Sequence, residues 1–174
     1  MKNTFLKPIF VIALAMMTAF TITFSVVSGQ GATDTQSSDS SLNAPDRTIV
    51  GVWQTTVTQR NCMTGDPLAP PAQGVSTFNE GGTMAEFAAS SSPTLRSPAH
   101  GIWEASNPFH PTFAFTLLRF NADGTFGGRT VIRQTVSLAQ SGNNYTTTGT
   151  VEIFAPNGML VGMGCATATA TRFQ

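Results

Sequence analysis

The chain has 174 residues, 41% of them hydrophobic and only 10% charged, with nine Lys and Arg against nine Asp and Glu and two cysteines. That length suits a single domain. A formal charge of zero, with no basic run and no aromatic side chains interleaved among cations, removes the electrostatic attraction on which nucleic-acid binding depends, and that partner class is excluded. Thirteen Phe and 16 Gly beside abundant Thr and Ser favour β-strands with tight turns, whereas a helical chain needs more Leu, Glu and Lys.

In chain order, Lys2 and Lys7 flank the start of an uncharged apolar run over residues 8–27, the pattern of a basic n-region and an apolar h-region. Ser28 and Gly29 offer small residues for cleavage, so residues 1–29 are expected to be a signal peptide and the mature protein to be secreted, periplasmic or extracellular, with no membrane insertion after cleavage. The apolar run nearly spans a bilayer, and an uncleaved N-terminal anchor is the alternative. With no cysteine beside the cut, a lipid-anchored form is not expected. Cleavage leaves no lysine and seven Arg against nine acidic residues, a net charge of −2. Residues 30–47, rich in Ser, Thr, Asp and Gln, bury nothing and read as a disordered linker. The domain is expected over 48–174.

From residue 48 onward, Gly and Pro clusters or Asn/Asp-Gly pairs separate short β-branched and aromatic stretches, and no helical period appears. Eight strands are predicted, over 48–62, 74–79, 83–89, 101–106, 112–121, 125–140, 145–155 and 159–173. A weak repeat runs through them. Gly51-Val52-Trp53 is followed by Phe78-Asn79-Glu80-Gly81-Gly82-Thr83-Met84, and Gly101-Ile102-Trp103 by Phe120-Asn121-Ala122-Asp123-Gly124-Thr125-Phe126. A looser third copy is Phe154-Ala155-Pro156-Asn157-Gly158-Met159. Hairpins joined in sequence make a meander, and eight strands without a helix to cover an edge are best satisfied by closing the sheet into an antiparallel up-and-down barrel.

Closure requires the first and last strands to pair, and two residue pairs test it. Trp53 with Arg172 and Cys62 with Cys165 lie within one diagonal step of a single antiparallel register, and parity places the two pairs on opposite faces. Trp53 and Arg172 are taken as the inward pair, a cation stacked on an indole near one barrel end. Cys62 and Cys165 become an outer disulfide, as expected for an exported chain. On the same parity the inner side of the last strand carries Leu160, Gly162, Gly164, Ala166, Ala168 and Ala170, small residues that leave room for one ligand. Phe126, Ile132, Val136 and Leu138 share one face of the sixth strand and compete to fill that room. The outer faces of the first and last strands, with Val50, Val52, Val161 and Met163, form a semi-apolar surface that suits a homodimer contact.

The Gly-x-Trp opening the first strand, the eight-strand meander and an Arg on the last strand over that Trp resemble the lipocalin-like (calycin) barrels, across residues 48–173. The resemblance implies a secreted binder of small, mostly apolar ligands, with Trp53 and Arg172 as the family's closed-end pair. Two departures stand out: no helix is predicted after the last strand and none before the first. The stretches Thr56-Val57-Thr58-Gln59-Arg60-Asn61-Cys62 and Arg96-Ser97-Pro98-Ala99-His100-Gly101 also look like small uncharacterised exported bacterial proteins.

Little in the chain carries chemistry. Two histidines, His100 and His110, with both cysteines committed to a bridge, leave no expected metal set, and no phosphate-cradling glycine loop points to a cofactor. No Gly-x-Ser-x-Gly marks a nucleophile. The densest polar segment holds Arg96, Ser97, His100, Trp103 and Glu104. His100 and Glu104 make an acid–base pair if both reach a barrel mouth, although four residues of strand separate them by about 13 Å. Glu86 shares a face with Met84 and Ala88 and is expected inward, paired with an arginine such as Arg119; Arg129 and Arg133 are expected outward. Asn144-Tyr145-Thr146 is a glycosylation sequon at a hairpin tip, with meaning only in a eukaryotic secretory host. The expected function is an exported barrel binding a small apolar or amphipathic ligand through Trp53, Arg172, Glu86 and Trp103, without a cofactor. Alternatives are a barrel-mouth isomerase or cyclase using His100 and Glu104, and a filled barrel serving the cell envelope as a structural or interaction module.

Overall fold

A computed structural model describes residues 48–173, and the expected signal peptide and linker lie outside the described residues. Eight strands follow in order: β1 (Gly51–Arg60), β2 (Ala72–Phe78), β3 (Thr83–Ala88), β4 (Ala99–Glu104), β5 (Thr112–Phe120), β6 (Phe126–Leu138), β7 (Asn144–Phe154) and β8 (Leu160–Arg172). Each pairs antiparallel with the next, and β8 returns to β1 to close the barrel. Among the described residues the only helical element is a 3-10 turn at Pro93–Leu95.

The seam between β1 and β8 has the expected register. Trp53 lies opposite Arg172 and Arg60 opposite Cys165, so Cys62, just past β1, reaches Cys165 across a diagonal. Their Cα atoms are 5.2 Å apart and the bridge spans 103 residues of chain. Closure satisfies the backbone groups that edge strands would otherwise present to another chain. Trp53, Thr55, Val57 and Gln59 alternate with outward residues along β1, as the two-residue strand period demands.

One barrel end is sealed by a packed aromatic plug. Trp53 is wholly buried and meets Tyr145 with ring centroids 4.7 Å apart, while Phe78 lies 5.4 Å from Phe113 and 6.3 Å, edge-on, from Trp103. Such pairs contribute about 0.5–1.5 kcal/mol each beyond their buried area. The Arg172 guanidinium lies 4.3 Å from the Trp53 ring centroid and donates to the carbonyls of Thr48, Val50 and Gly142, tying both ends of the described chain and the β6–β7 hairpin under the plug. The indole Nε1 donates to Ile49 O at 2.8 Å. This geometry explains the Gly-x-Trp motif: Gly51 has φ +127°, and a Cβ there would stand 2.7 Å from Arg172 Nη1.

The hairpin repeat is also physical. Asn79, Asn121 and Ala155 each receive, at their carbonyl, the amide of a glycine three residues on, and Gly82, Gly124 and Gly158 all have positive φ. At the 121–125 turn, Asp123 accepts from the Thr125 hydroxyl at 2.7 Å and its amide at 3.0 Å, which lowers the carboxyl pKa.

Two bulges break the parity. Phe120 pairs with Phe126 but Arg119 with Gly128, leaving Gly127 unopposed, so Phe126 turns outward and is 45% exposed rather than sharing the inner face with Ile132 and Val136. Ile153 pairs with Gly162 but Phe154 with Leu160, and Leu160, expected inward, is half-exposed. At Gly149 the close approach of β6 admits no side chain. A Cβ on Gly149 would collide with the Arg133 carbonyl and the Gln134 Cα, both backbone. Gly149→Ala is therefore expected to destabilise the barrel by about 1–3 kcal/mol, read from urea midpoints; an unchanged midpoint would contradict the β6–β7 approach.

Candidate functional site

Above the aromatic plug the barrel opens into a cavity of about 480 Å³, within the range of small-molecule sites. Tyr145 and Phe113 reach it from the plug, and Phe115, Leu117 and Ile132 supply apolar walls. Ala166 and Ala168 keep the β8 wall shallow, while Ala170 belongs to the plug, and the space beside Gly162 and Gly164 is taken by Ile153 and Val151. The expected inner stripe of small residues thus leaves room in its middle only.

A strap formed by the chain before β4 lies at the open end and contributes Ser90, Ser91, Leu95 and Arg96 to the lining. Arg96 pins it. Its Nη2 donates to Glu86 Oε2 at 2.7 Å, Nη1 to Ala88 O at 3.1 Å and Nε to Ser97 O at 3.2 Å, with side chains of Arg96 and Glu86 only 4% and 7% exposed. On the other side the Ser97 amide donates to Leu118 O and the Leu118 amide to Ser97 Oγ, both at 2.9 Å. Glu86 does point inward, but its partner is Arg96, not Arg119, because the strap carries Arg96 back over the end of β3. Burial raises the Glu86 pKa above the ordinary carboxylate value, and the Arg96 guanidinium pulls it down less strongly. Burial likewise pushes the Tyr145 hydroxyl up, opposed by its hydrogen bond with Ser76 and reinforced by Glu86, so the phenol is neutral.

Four buried side-chain atoms facing this space have no protein hydrogen-bond partner: Thr55 Oγ1, Arg119 Nε, Gln134 Oε1 and Thr147 Oγ1. Buried polar groups are normally paired, and each one left alone costs about 1–3 kcal/mol. Their concentration in one cavity makes it a polar-lined receptacle with an apolar frame rather than a greasy hole. Alternation signals three of them in the sequence. Gln134 shares the inner face of Ile132 and Val136 on β6, Arg119 that of Phe113, Phe115 and Leu117 on β5, and Thr55 that of Trp53 on β1. A polar residue on an apolar strand face is the readable mark.

The other sequence candidates fall elsewhere. Trp53 and Arg172 form the seal and Trp103 closes the same end, its Nε1 donating to Asn79 O at 2.9 Å; none of the three lines the cavity. His100 and Glu104 are both exposed, project with Ile102 from the outer face of β4, and do not line the cavity, so they do not converge at a barrel mouth. The reason is parity: even-numbered β4 residues face out while Gly101 and Trp103 face in. His110 is exposed, and among the described residues no group of three His, Cys, Asp or Glu side chains is placed to hold a metal ion. Arg133 pairs outside with Glu152 at 3.6 Å and Arg129 covers the Phe154 ring at 4.7 Å. Val161 and Met163, on the outer surface expected to suit a dimer, are 58% and 66% exposed. Asn144 is exposed at the start of β7 and accepts from the Thr171 hydroxyl at 3.1 Å.

Fold and cavity together define an up-and-down antiparallel β-barrel sealed at one end and open at the other, an architecture consistent with lipocalin-like proteins. No protein-family model and no curated protein matches the sequence.

Proposed function

We propose that this protein is an exported carrier or sensor that holds one small amphipathic molecule inside the barrel. The observation that carries the reading is the cavity of about 480 Å³ in which apolar walls surround four unpaired buried polar atoms. A purely hydrocarbon ligand leaves those atoms unsatisfied, whereas a molecule with hydrogen-bonding substituents on an apolar skeleton recovers that cost. Work outside the cytoplasm is supported by the Cys62–Cys165 bridge and by the basic, then apolar, N-terminal sequence. Among the described residues no helix is long and apolar enough to cross a membrane.

The test is a titration with Nile red, a neutral dye that brightens in apolar surroundings. Saturable binding at one dye per barrel is expected, with at least a tenfold loss in Ala168→Trp, where an indole occupies the cavity from the β8 wall. Circular dichroism verifies that the variant keeps the sheet. Dye that fails to saturate, or that binds the variant equally, removes the carrier reading. Native mass spectrometry of protein recovered from its own host then weighs any retained ligand.

A further inference from the structure

The charges inside the barrel do not balance. Among the described residues the charged side chains lining the cavity are Glu86, Arg96 and Arg119. Glu86 is engaged by Arg96, whose guanidinium is further committed to backbone carbonyls at Ala88 and Ser97. Arg119 stands apart. It points inward from the open end of β5, no carboxylate pairs with it, and its one side-chain hydrogen bond is from Nη2 to Gly127 O at 2.8 Å. Its Nε is buried without a partner. The interior therefore holds two guanidinium charges against one carboxylate, and the surplus sits on a group with an unused donor.

Arg119 is half-buried with its Nε alone sealed from solvent and unpartnered, and an anion seated at the open end is the group that accepts hydrogen bonds from such a guanidinium most strongly. The bulge leaving Gly127 unopposed supplies the carbonyl that holds Arg119 Nη2 while the rest of the group remains available. Below Arg119 on the same strand face lie Leu117 and Phe115, with Ile132 also on the wall, an apolar path running from the cation toward the plug.

Resting on the carrier reading above, we infer that the cavity selects a single-headed anionic amphiphile, its carboxylate-like head on Arg119 at the open end and its apolar body against Leu117, Phe115 and Ile132. No bond is made or broken; this is a binding specificity. The neutral counterpart of such a molecule loses the charge-assisted hydrogen bond and leaves the guanidinium unsatisfied, a difference of about tenfold or more in affinity.

Dansyl-labelled undecanoic acid and its methyl ester, which share fluorophore and chain, separate head from body. The full chain purified without its first 29 residues is expected to bind the acid at least about tenfold more tightly than the ester. Arg119→Gln is expected to bring the acid down to the ester's affinity while leaving the ester unchanged, and Arg119→Lys to restore most of the preference. The wild-type comparison needs no variant and stands even if a substitution fails to fold. Equal affinity for acid and ester, absence of acid binding, or an Arg119→Gln loss equal for both probes overturns this inference. Nile red binding in the same preparation distinguishes that outcome from failure of the carrier reading, which requires the neutral dye to be refused as well.

Discussion

Replacing both cysteines by alanine is expected to lower the stability of the barrel by about 4–5 kcal/mol, the value of a loop closure of roughly a hundred residues in the chain-entropy account. The bridge joins the end of β1 to β8, 103 residues apart in sequence, and so ties together the two strands whose pairing closes the sheet. In the unfolded chain those strands are far apart, and their meeting carries the largest closure entropy of any neighbouring pair in the meander. Urea unfolding with and without a reductant, monitored by tyrosine and tryptophan fluorescence, measures the difference. A reduced protein with an unchanged midpoint would falsify the assignment of that role to the clasp. Trp53, tilted against Tyr145, lies at the far end of the same β1–β8 seam, and loss of its buried fluorescence at lower urea on reduction is the expected signature that the whole seam depends on the bridge.

The second large effect lies at Glu86. Glu86→Ala removes the acceptor from an arginine that is 4% exposed, and leaving a buried charge uncompensated costs about 3–5 kcal/mol. Glu86→Gln keeps an oxygen for Arg96 Nη2 and is expected to be far milder. The pH dependence separates charge from shape. Burial raises the folded-state pKa of Glu86 above its ordinary value, so the folded chain holds this proton to higher pH than the unfolded chain does. Its contribution to stability is therefore fully present below the ordinary carboxylate range and is lost as pH rises through the folded value. Wild-type stability relative to E86Q is expected to decline as pH rises from the ordinary carboxylate range through the raised folded value, measured by denaturant midpoints at each pH. A difference that grows over that interval instead means that Arg96, not burial, dominates the carboxylate.

Closure was legible because it rests on two things a sequence carries directly, residue identity and strand parity. An inward Trp53 opposite Arg172 and an outward Cys62 near Cys165 constrain one register, and the structure has that register. What escaped has a common cause. The partner of Glu86, Arg96 and not the Arg119 offered as an example, is set by the path of the strap before β4, which follows no strand period. The outward turn of Phe126 comes from Gly127, one extra residue in β6, and a single inserted residue inverts parity for everything beyond it. Trp53 and Arg172, expected as ligand contacts, lie away from the cavity for a different reason. The Trp and Arg signal is the strongest in the chain, but it marks the sealed end, where the indole and guanidinium satisfy one another and the backbone around them. The cavity is marked by weaker signs, a glutamine, threonines and one arginine on otherwise apolar strand faces.

Both ends of the described chain pass beneath the aromatic plug, Thr48 and Val50 accepting from Arg172 as the last strand finishes. A tether joined directly after the last strand therefore leaves from the pole opposite the open end. Immobilised through that end on a sensor chip, the barrel turns its open end away from the surface.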